Sequence, residues 1–290
     1  MKILNFGSLN IDYVYSVEHF VQPGETMASD GFETFPGGKG FNQTIALARA
    51  GAPVFHAGCI GEEGMFLKEM LEKEDVSTDF LKVVDTPNGH AIIQVDSHGE
   101  NAIILFGGAN QQISSDFIDD VLSHFGWGDV LLIQNEINMT SELIEKAKKK
   151  GLYIVFNPAP MTDEVLSFPL ELVDLFVVNE TEAAAITGKD KLDDMMYEML
   201  NRFPEAATIF TLGPKGSVYQ LGEEVYKCKA IDVGPVVDTT AAGDTFIGYF
   251  LALQAINLSV ADSLRGASKA SGIAVSRKGA SSSIPYANEV

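Results

Sequence analysis

The sequence predicts an α/β fold of the doubly wound type, in which helices cover both faces of a mostly parallel sheet. Two observations predict it. Short segments that are apolar throughout alternate with amphipathic segments of about 10–15 residues, as in parallel sheets buried on both faces. The chain has 290 residues, of which 46% are hydrophobic and 21% charged, so it can bury a large core. We therefore expect a single α/β domain over residues 1–290.

The elements follow in order along the chain. Apolar runs predict strands at "KILNFG", "VFHAGCIG", "DVLLIQ", "LYIVFNP", "VDLFVVN" and "ATIFTLG". Phe41, Ile45, Ala48 and Ala52 recur with a helical period, which predicts a helix after the glycines of "GKGFNQTIALARAGA". Amphipathic patterns with start and stop residues predict the other helices, at "EEGMFLKEMLEKEDV", "SSDFIDDVLSHFG", "TSELIEKAKKKG", "ETEAAAITG", "DTFIGYFLALQAI" and "SVADSLRGASKASGIAVS".

Two segments break this alternation. Residues 12–35 lack a helical period and are typical of short exposed strands. Residues 90–106 indicate a hairpin around Ser97–Glu100. We expect the two segments to pair into a small sheet beside the α/β core, as a lid or a dimer surface.

Charge and composition exclude several classes of protein. The formal net charge is −20 and the pI is about 4.5, which argues against binding to nucleic acid or to an anionic membrane. An anionic small molecule can still bind where backbone N–H groups gather at a helix N-terminus. Cys59 and Cys228 predict no disulfide framework, and the histidines form no metal-binding pair. Without a signal peptide or a long apolar run, the chain is expected to be soluble and cytoplasmic.

The stretch "VDTTAAGDTFIGYFLAL" places small residues and an acid at the start of a predicted helix. Ala241, Ala242 and Gly243 would let an oxyanion approach the free N–H groups of the helix N-terminus. Asp244 would then lie beside this cradle and could take a proton from an attacking hydroxyl group. Helix capping with close helix–strand packing explains the stretch equally well.

Other polar residues follow predicted strands or glycines. Lys39 and Asn42 lie in "PGGKGFNQ", and Asn10 and Asp12 in "GSLNID" could bind vicinal hydroxyl groups. Turns and ordinary Gly-rich connections explain both motifs as well.

Acids that follow strands are candidates for contacting water molecules bound to Mg²⁺. Glu136 follows one strand, and Asn179, Glu180 and Glu182 follow another. Helix caps or solvated acids explain each of them individually. Because these groups would all open onto one edge of the sheet, we favour a functional site there. The usual nucleotide motifs, GxxxxGK[ST] and a strand-associated GxGxxG, are absent.

Several motifs together resemble the ribokinase family of ATP-dependent sugar kinases, in order and spacing from residue 3 to about residue 285. The motifs are "GSLNID", "PGETM", "FPGGKGFNQTIALARAGA", "GCIGEEG", "FNPAP", "VNETEA", "TLGPKG", "VDTTAAGDTFIGYF" and "VSRKGASSSIP". The resemblance implies a Rossmann-like core with a β lid, which often forms a homodimer interface. It also implies that ATP, with Mg²⁺ and K⁺, phosphorylates D-ribose at its 5-hydroxyl group.

The resemblance assigns roles to particular residues. Asp244 corresponds to the family's catalytic base, with Ala241, Ala242 and Gly243 as the anion hole. Sugar contacts are implied for Asn10, Asp12, Gly38, Lys39, Gly40, Asn42, Glu136 and Asp244. ATP contacts are implied for Asn179, Glu182, Thr211, Gly213, Gly216, Gly243 and Ser268. A monovalent cation site is implied at Asp238, Thr240, Ala274, Arg277, Gly279 and Ser283.

Three residues depart from the family pattern. Phe41 is larger than the usual residue of its loop, and Asn135 replaces an apolar residue; both bear on sugar preference. Ser268 replaces an Asn or His that contacts adenine. The alternatives are a kinase for another pentose, deoxyribose or a nucleoside, and a sugar-binding or regulatory protein without chemistry. The presence of Asp244, Gly243 and Asn179 argues against the last.

Overall fold

The computed structural model describes all 290 residues and contains two sheets and eight α-helices. The strands are β1 (Ile3–Phe6), β2 (Asn10–Ser16), β3 (Gly31–Gly37), β4 (Val54–Ile60), β5 (Ser77–Val83), β6 (Gly89–Val95), β7 (Asn101–Phe106), β8 (Val130–Gln134), β9 (Tyr153–Asn157), β10 (Leu175–Asn179), β11 (Ala207–Thr211), β12 (Ser217–Leu221) and β13 (Glu224–Cys228). The helices are α1 (Lys39–Arg49), α2 (Met65–Lys73), α3 (Ser115–Leu122), α4 (Thr140–Lys150), α5 (Glu180–Thr187), α6 (Leu192–Arg202), α7 (Ala242–Ala255) and α8 (Val260–Val275).

The large sheet has nine strands in the order β13-β12-β11-β10-β9-β8-β1-β4-β5. All pairs from β11 to β5 are parallel, whereas β12 and β13 form an antiparallel edge. From β1 the chain builds first toward β5 and later, from β8, toward β13. Such a reversal of strand order opens a crevice at the carboxyl ends of the strands, where ligands bind in doubly wound folds.

Two apolar clusters cover the two faces of this sheet. One contains 34 buried residues, and its helical members come from α3, α4, α5 and α6. The other contains 30 buried residues, and its helical members come from α1, α2, α7 and α8. The doubly wound prediction is therefore confirmed. No helix has both the length and the hydrophobicity needed to cross a membrane.

The smaller sheet, with strand order β3-β2-β6-β7, pairs the two predicted segments and is called the lid below. Strands β2 and β6, which come from the two predicted segments, pair in parallel from Asn10↔Gly89 to Ser16↔Val95. The bounds differ from the prediction, because residues 17–30 contain no strand and the lid begins at Asn10. The turn interpretation of Asn10 and Asp12 is wrong, since both residues lie within β2.

Four elements of the α/β core were not predicted from the sequence. Three are β5, β12 and β13, which form the two ends of the large sheet. Strands β5 and β13 present mostly exposed or half-buried side chains and lack the continuous apolar run of the central strands. The fourth is α6, whose buried face consists of Met195, Met196 and Met199 among acidic residues.

Candidate active site

A cleft of about 250 Å³ lies at the carboxyl edge of the large sheet. Three central strands, β9, β10 and β11, contribute to it through side chains at or near their carboxyl ends. The residues that line it are Lys39, Asn157, Ala159, Val177, Asn179, Glu182, Thr211, Thr239, Ala241, Ala242, Gly243, Asp244 and Ile247. The structure thus brings together the predicted cradle, the predicted base and three residues predicted to contact ATP.

The N-terminus of α7 forms one wall of the cleft. Ala241 precedes the helix in a left-handed conformation, with φ 59°, and no side chain caps the helix. The N–H groups of Gly243 and Asp244 have no acceptor in the protein. A Cβ placed on Gly243 would meet no atom within 4 Å. The first turn of α7 therefore offers unpaired donors to open space, as an anion site requires.

Asp244 is 7% exposed, and both of its carboxylate oxygens accept hydrogen bonds from side chains of α1. Gln43 Nε2 donates to Oδ1 at 2.8 Å, and Asn42 Nδ2 donates to Oδ2 at 3.3 Å. The carboxylate does not cap its own helix. The capping alternative is therefore wrong, and Asp244 lies beside the free N–H groups as a separate acceptor.

Lys39 supplies positive charge to the same cleft. The Asp244 carboxylate raises the pKa of Lys39, burial opposes the shift, and Glu136 and Glu182 add to it. The ammonium group therefore stays charged at neutral pH. A cation among carboxylates at the end of a helix suits the binding of phosphate oxygens.

The glycine loop before α1 is held by Glu136, which follows β8. Glu136 Oε2 accepts from the Lys39 N–H at 2.8 Å and from the Ser8 hydroxyl group. Burial raises the pKa of Glu136. Gly40 fits only as glycine, because a Cβ there would lie 2.4 Å from the Ser8 nitrogen, and Gly38 has φ 90°. Glu136 therefore sets the position of the loop that carries Lys39 and Asn42.

The lid brings Asn10 and Asp12 to this side of the site. Burial raises the pKa of Asp12 to about 6, and the neighbouring charge of Glu136 adds to the shift. Asn10 Oδ1 accepts a hydrogen bond from Asn110 Nδ2 at 2.7 Å. This contact uses the oxygen of the Asn10 side chain and not its NH₂ group. The two predicted sugar contacts thus approach the glycine loop from the lid rather than from a strand end of the main sheet.

Only some of the residues predicted to contact the nucleotide line the cleft. Asn179 and Glu182 form a capping box at the start of α5, with the Glu182 N–H donating to Asn179 Oδ1 at 2.8 Å. Thr211 ends β11 beside them. Gly213 and Gly216 flank the next short turn and lie outside the cleft lining, as does Ser268. Ser268 is buried in α8, where its hydroxyl oxygen contacts Cys228 Sγ at 3.6 Å.

The segments predicted to bind a monovalent cation lie side by side. Asp238 Oδ1 accepts from the Thr240 N–H, and Asp238 Oδ2 accepts from the Gly279 N–H, each at 2.9 Å. Burial raises the pKa of Asp238, but hydrogen bonds from Thr240 and Gly279 outweigh it and hold the pKa below its usual value. Ala274 lies in the last turn of α8, and its carbonyl oxygen accepts from the Arg277 N–H. The side chains of Arg277 and Ser283 bond within the C-terminal segment, to Glu289 and to the Ala280 carbonyl oxygen.

Several polar residues of the site were not predicted from the sequence, among them Thr239, which lines the cleft just before α7. Asn157 lines the cleft at the end of β9, and the same strand-end rule that selected Asn179 would have selected it. Ser8 supports Glu136. Gln43 contacts Asp244 from below the cleft, and only its position next to Asn42 in "GGKGFNQ" hints at this role.

The fold and site define a class of protein. Residues 1–287 match the pfkB family of carbohydrate kinases, and the chain belongs to this family. The resemblance seen in the sequence is thereby confirmed.

Within the family the similarity is to ribokinases. The chain is 36% identical over 301 residues to a ribokinase of Haemophilus influenzae, an alignment that covers 98% of this chain and 95% of the relative. The structure of a Cryptococcus neoformans ribokinase in complex with ADP is 36% identical with a TM-score of 0.87, covering 99% of this chain and 98% of the other. An Arabidopsis thaliana ribokinase complexed with ribose and ATP is 29% identical, also with a TM-score of 0.87, covering 99% and 96%.

Proposed function

We propose that the chain transfers the γ-phosphoryl group of ATP to the 5-hydroxyl group of D-ribose. The observation that carries the proposal is a buried Asp244 carboxylate beside the unpaired N–H groups of Gly243 and Asp244. Phosphoryl transfer to an alcohol requires a base that takes the alcohol proton and, next to it, an anion site that stabilises the phosphoryl group. The similarity to ribokinases, one of them complexed with ribose and ATP, supports the choice of substrates.

The residues divide the work of binding and transfer. Asn10 and Asp12 from the lid, with Asn42 and Glu136, hold the sugar hydroxyl groups. Asp244 takes the proton of the 5-hydroxyl group as the hydroxyl oxygen attacks the γ-phosphorus, the bond from that phosphorus to the bridging oxygen breaks, and ADP leaves. The first turn of α7 and the Lys39 ammonium group stabilise the negative charge on the transferred group. Asn179, Glu182 and Thr211, which line the cleft, would contact the nucleotide, and Gly213, Gly216 and Ser268, which do not line it, complete the set assigned to ATP.

Two cations belong to the proposal. Mg²⁺ would arrive with ATP and neutralise phosphate charge, and Glu182 is a cleft acid suited to contact its water shell. K⁺ would bind near Asp238, where the donors are a carboxylate and the backbone carbonyls of residues 240 and 274–283. This all-oxygen donor set fits a hard cation. Because Asp238 precedes α7 and bonds to Gly279, its loop supports the turn that forms the anion site.

We also propose a homodimer through the lid. Phe32 and four consecutive residues of β7, Ile103–Phe106, are each between 46% and 64% exposed. Successive residues of a strand point to opposite faces, so apolar side chains occur on both faces of the lid. One face can close over the sugar while apolar surface remains for a second copy. Light scattering at several protein concentrations tests this.

The substrate assignment is tested by a coupled ADP-release screen over pentoses, hexoses, 2-deoxyribose and nucleosides. We expect the highest kcat/KM with D-ribose. The screen includes 2-deoxyribose because a Salmonella typhi deoxyribokinase is 29% identical over 296 residues. A higher kcat/KM with 2-deoxyribose or a nucleoside would replace ribose in the proposal. No sugar-dependent ADP release at all would contradict kinase activity.

A further inference from the structure

Gln43 lies beneath Asp244 and makes three hydrogen bonds through its side-chain amide. Its Nε2 donates to Asp244 Oδ1 at 2.8 Å and to Asn157 Oδ1 at 3.2 Å. Its Oε1 accepts from Gln134 Nε2 at 2.7 Å. Gln43 is fully buried and does not line the cleft. It therefore touches the carboxylate without reaching the space where substrates bind.

The orientation of this amide is fixed by its neighbours. The Asp244 carboxylate can only accept, so the NH₂ end of Gln43 must face it. Gln134 is in turn oriented by Asn5, whose Oδ1 accepts the second hydrogen of Gln134 Nε2 at 3.0 Å. The Nδ2 of Asn5 donates to the Gly40 carbonyl oxygen at 2.8 Å and to Thr44 Oγ1 at 2.7 Å. Reversing the Gln43 amide would set its oxygen against the Asp244 carboxylate, an acceptor against an acceptor, and its NH₂ group against that of Gln134, a donor against a donor.

The other support of the carboxylate is weaker. Asn42 Nδ2 lies 3.3 Å from Asp244 Oδ2, a long hydrogen bond, and Asn42 Oδ1 is buried without a partner. Asn42 is also placed to bind the sugar, which would compete for its amide. Gln43 does not line the cleft, so no substrate competes for its amide and its hydrogen bond to Asp244 persists when the site is filled.

We propose that Gln43 is a positioning residue that holds the Asp244 carboxylate in its reactive orientation, with Gln134 fixing the direction of the amide. This inference rests on the proposed function, in which Asp244 accepts the proton of the sugar hydroxyl group. A base must lie within about 2.6–3.2 Å of the proton it removes, so a carboxylate free to rotate loses rate. A single hydrogen bond to a charged group corresponds to about 10–100-fold in rate.

The test compares Gln43→Met, Asp244→Asn and the double variant by steady-state kinetics with ribose and ATP. We expect Gln43→Met to lower kcat about 10–100-fold and to leave both KM values within about threefold, because Gln43 does not line the cleft. In the Asp244→Asn background the same substitution should change kcat by less than about threefold, since coupled residues are not additive.

Thr44→Val is the matched control for stability. Thr44 follows Gln43 on α1, is fully buried and bonds to Asn5 and His56 but not to Asp244. We expect it to lower the melting temperature at least as much as Gln43→Met while kcat stays within about threefold.

The outcomes separate the two ideas. Wild-type kcat in Gln43→Met while Asp244→Asn is impaired would overturn the role of Gln43 alone. Equal loss of kcat from Gln43→Met in both backgrounds, or an equal loss in Thr44→Val, would also overturn it. Wild-type kcat in Asp244→Asn would instead reject the base assignment on which the inference rests.

Discussion

Gly243 and Gly248 lie on the same helix, α7, and replacing each with alanine should have opposite consequences. A Cβ at Gly243 would meet no protein atom within 4 Å, because the position opens onto the cleft. A Cβ at Gly248 would lie 2.4 Å from Ala46 Cβ and 2.8 Å from the Leu47 nitrogen, where α7 packs on α1. One change fills ligand space, and the other forces two helices apart.

The magnitudes follow from these contacts. In Gly243→Ala no clash opposes the helix preference of alanine, so stability should stay level or rise by up to about 1 kcal/mol. The added methyl group should displace the transferred phosphoryl group, and a misplacement of about 1 Å costs about 10²-fold in rate. In Gly248→Ala, overpacking costs about 1–3 kcal/mol and outweighs the helix preference, so the protein should lose about 1–2 kcal/mol.

Urea unfolding and ADP-release kinetics measure the two effects on the same samples. We expect Gly243→Ala to be stable and nearly inactive, and Gly248→Ala to be less stable with a near-normal kcat for the folded fraction. Wild-type kcat/KM in Gly243→Ala would refute the reasoning, because it would mean that no reacting group occupies the space beside Gly243.

Three further predictions concern charged or titratable groups. Asp12→Ala should weaken ribose binding by about 1–3 kcal/mol, because sugar hydroxyl groups lose their acceptor, and should leave binding of an ATP analogue unchanged; equal weakening of both in calorimetry would indicate a folding defect instead. K⁺ titrated against Na⁺ at constant ionic strength should raise kcat in the wild type and not in Asp238→Ala, and a flat response in the wild type would contradict the cation site. Burial lowers the pKa of His56 from 6.5 to about 4, so between these values the unfolded chain binds a proton that the folded protein excludes, and stability falls as pH falls. Between pH 7 and pH 5 the wild type should lose about 2 kcal/mol more than His56→Gln in urea unfolding; equal losses would contradict the buried neutral imidazole.

The strand-end rule predicted much of the site because it depends on topology alone. Glu136 and Asn179 each follow or end a strand that the apolar pattern reveals, and parallel strands bring their carboxyl ends to one edge; Thr211 was assigned only through the family resemblance. The anion site could also be predicted, because the sequence itself shows small residues before an acid at the start of a predicted helix. The two segments of the lid could be predicted because neither shows the helical period of the segments around it.

The supporting residues could not be predicted in this way. Gln43 and Gln134 are hydrogen-bonded to each other but lie 91 positions apart in the chain. Nothing in the sequence around either residue shows this pairing. Asp12 was placed at a strand end because the short connection after β1 hides the fact that a lid strand begins at Asn10. Capping of α7 by Asp244 could be rejected only from the hydrogen bonds, which run to α1.

The central claim is that Asp244 removes the proton from the sugar hydroxyl group beside an anion site. The most direct test is the kcat of Asp244→Asn, measured together with calorimetric binding of ribose and of an ATP analogue. Because Asn keeps the shape of Asp but cannot accept the proton, kcat should fall about 10²–10⁴-fold while both ligands still bind and the melting temperature is unchanged. A kcat equal to that of the wild type, in a folded variant that binds both ligands, would contradict the account.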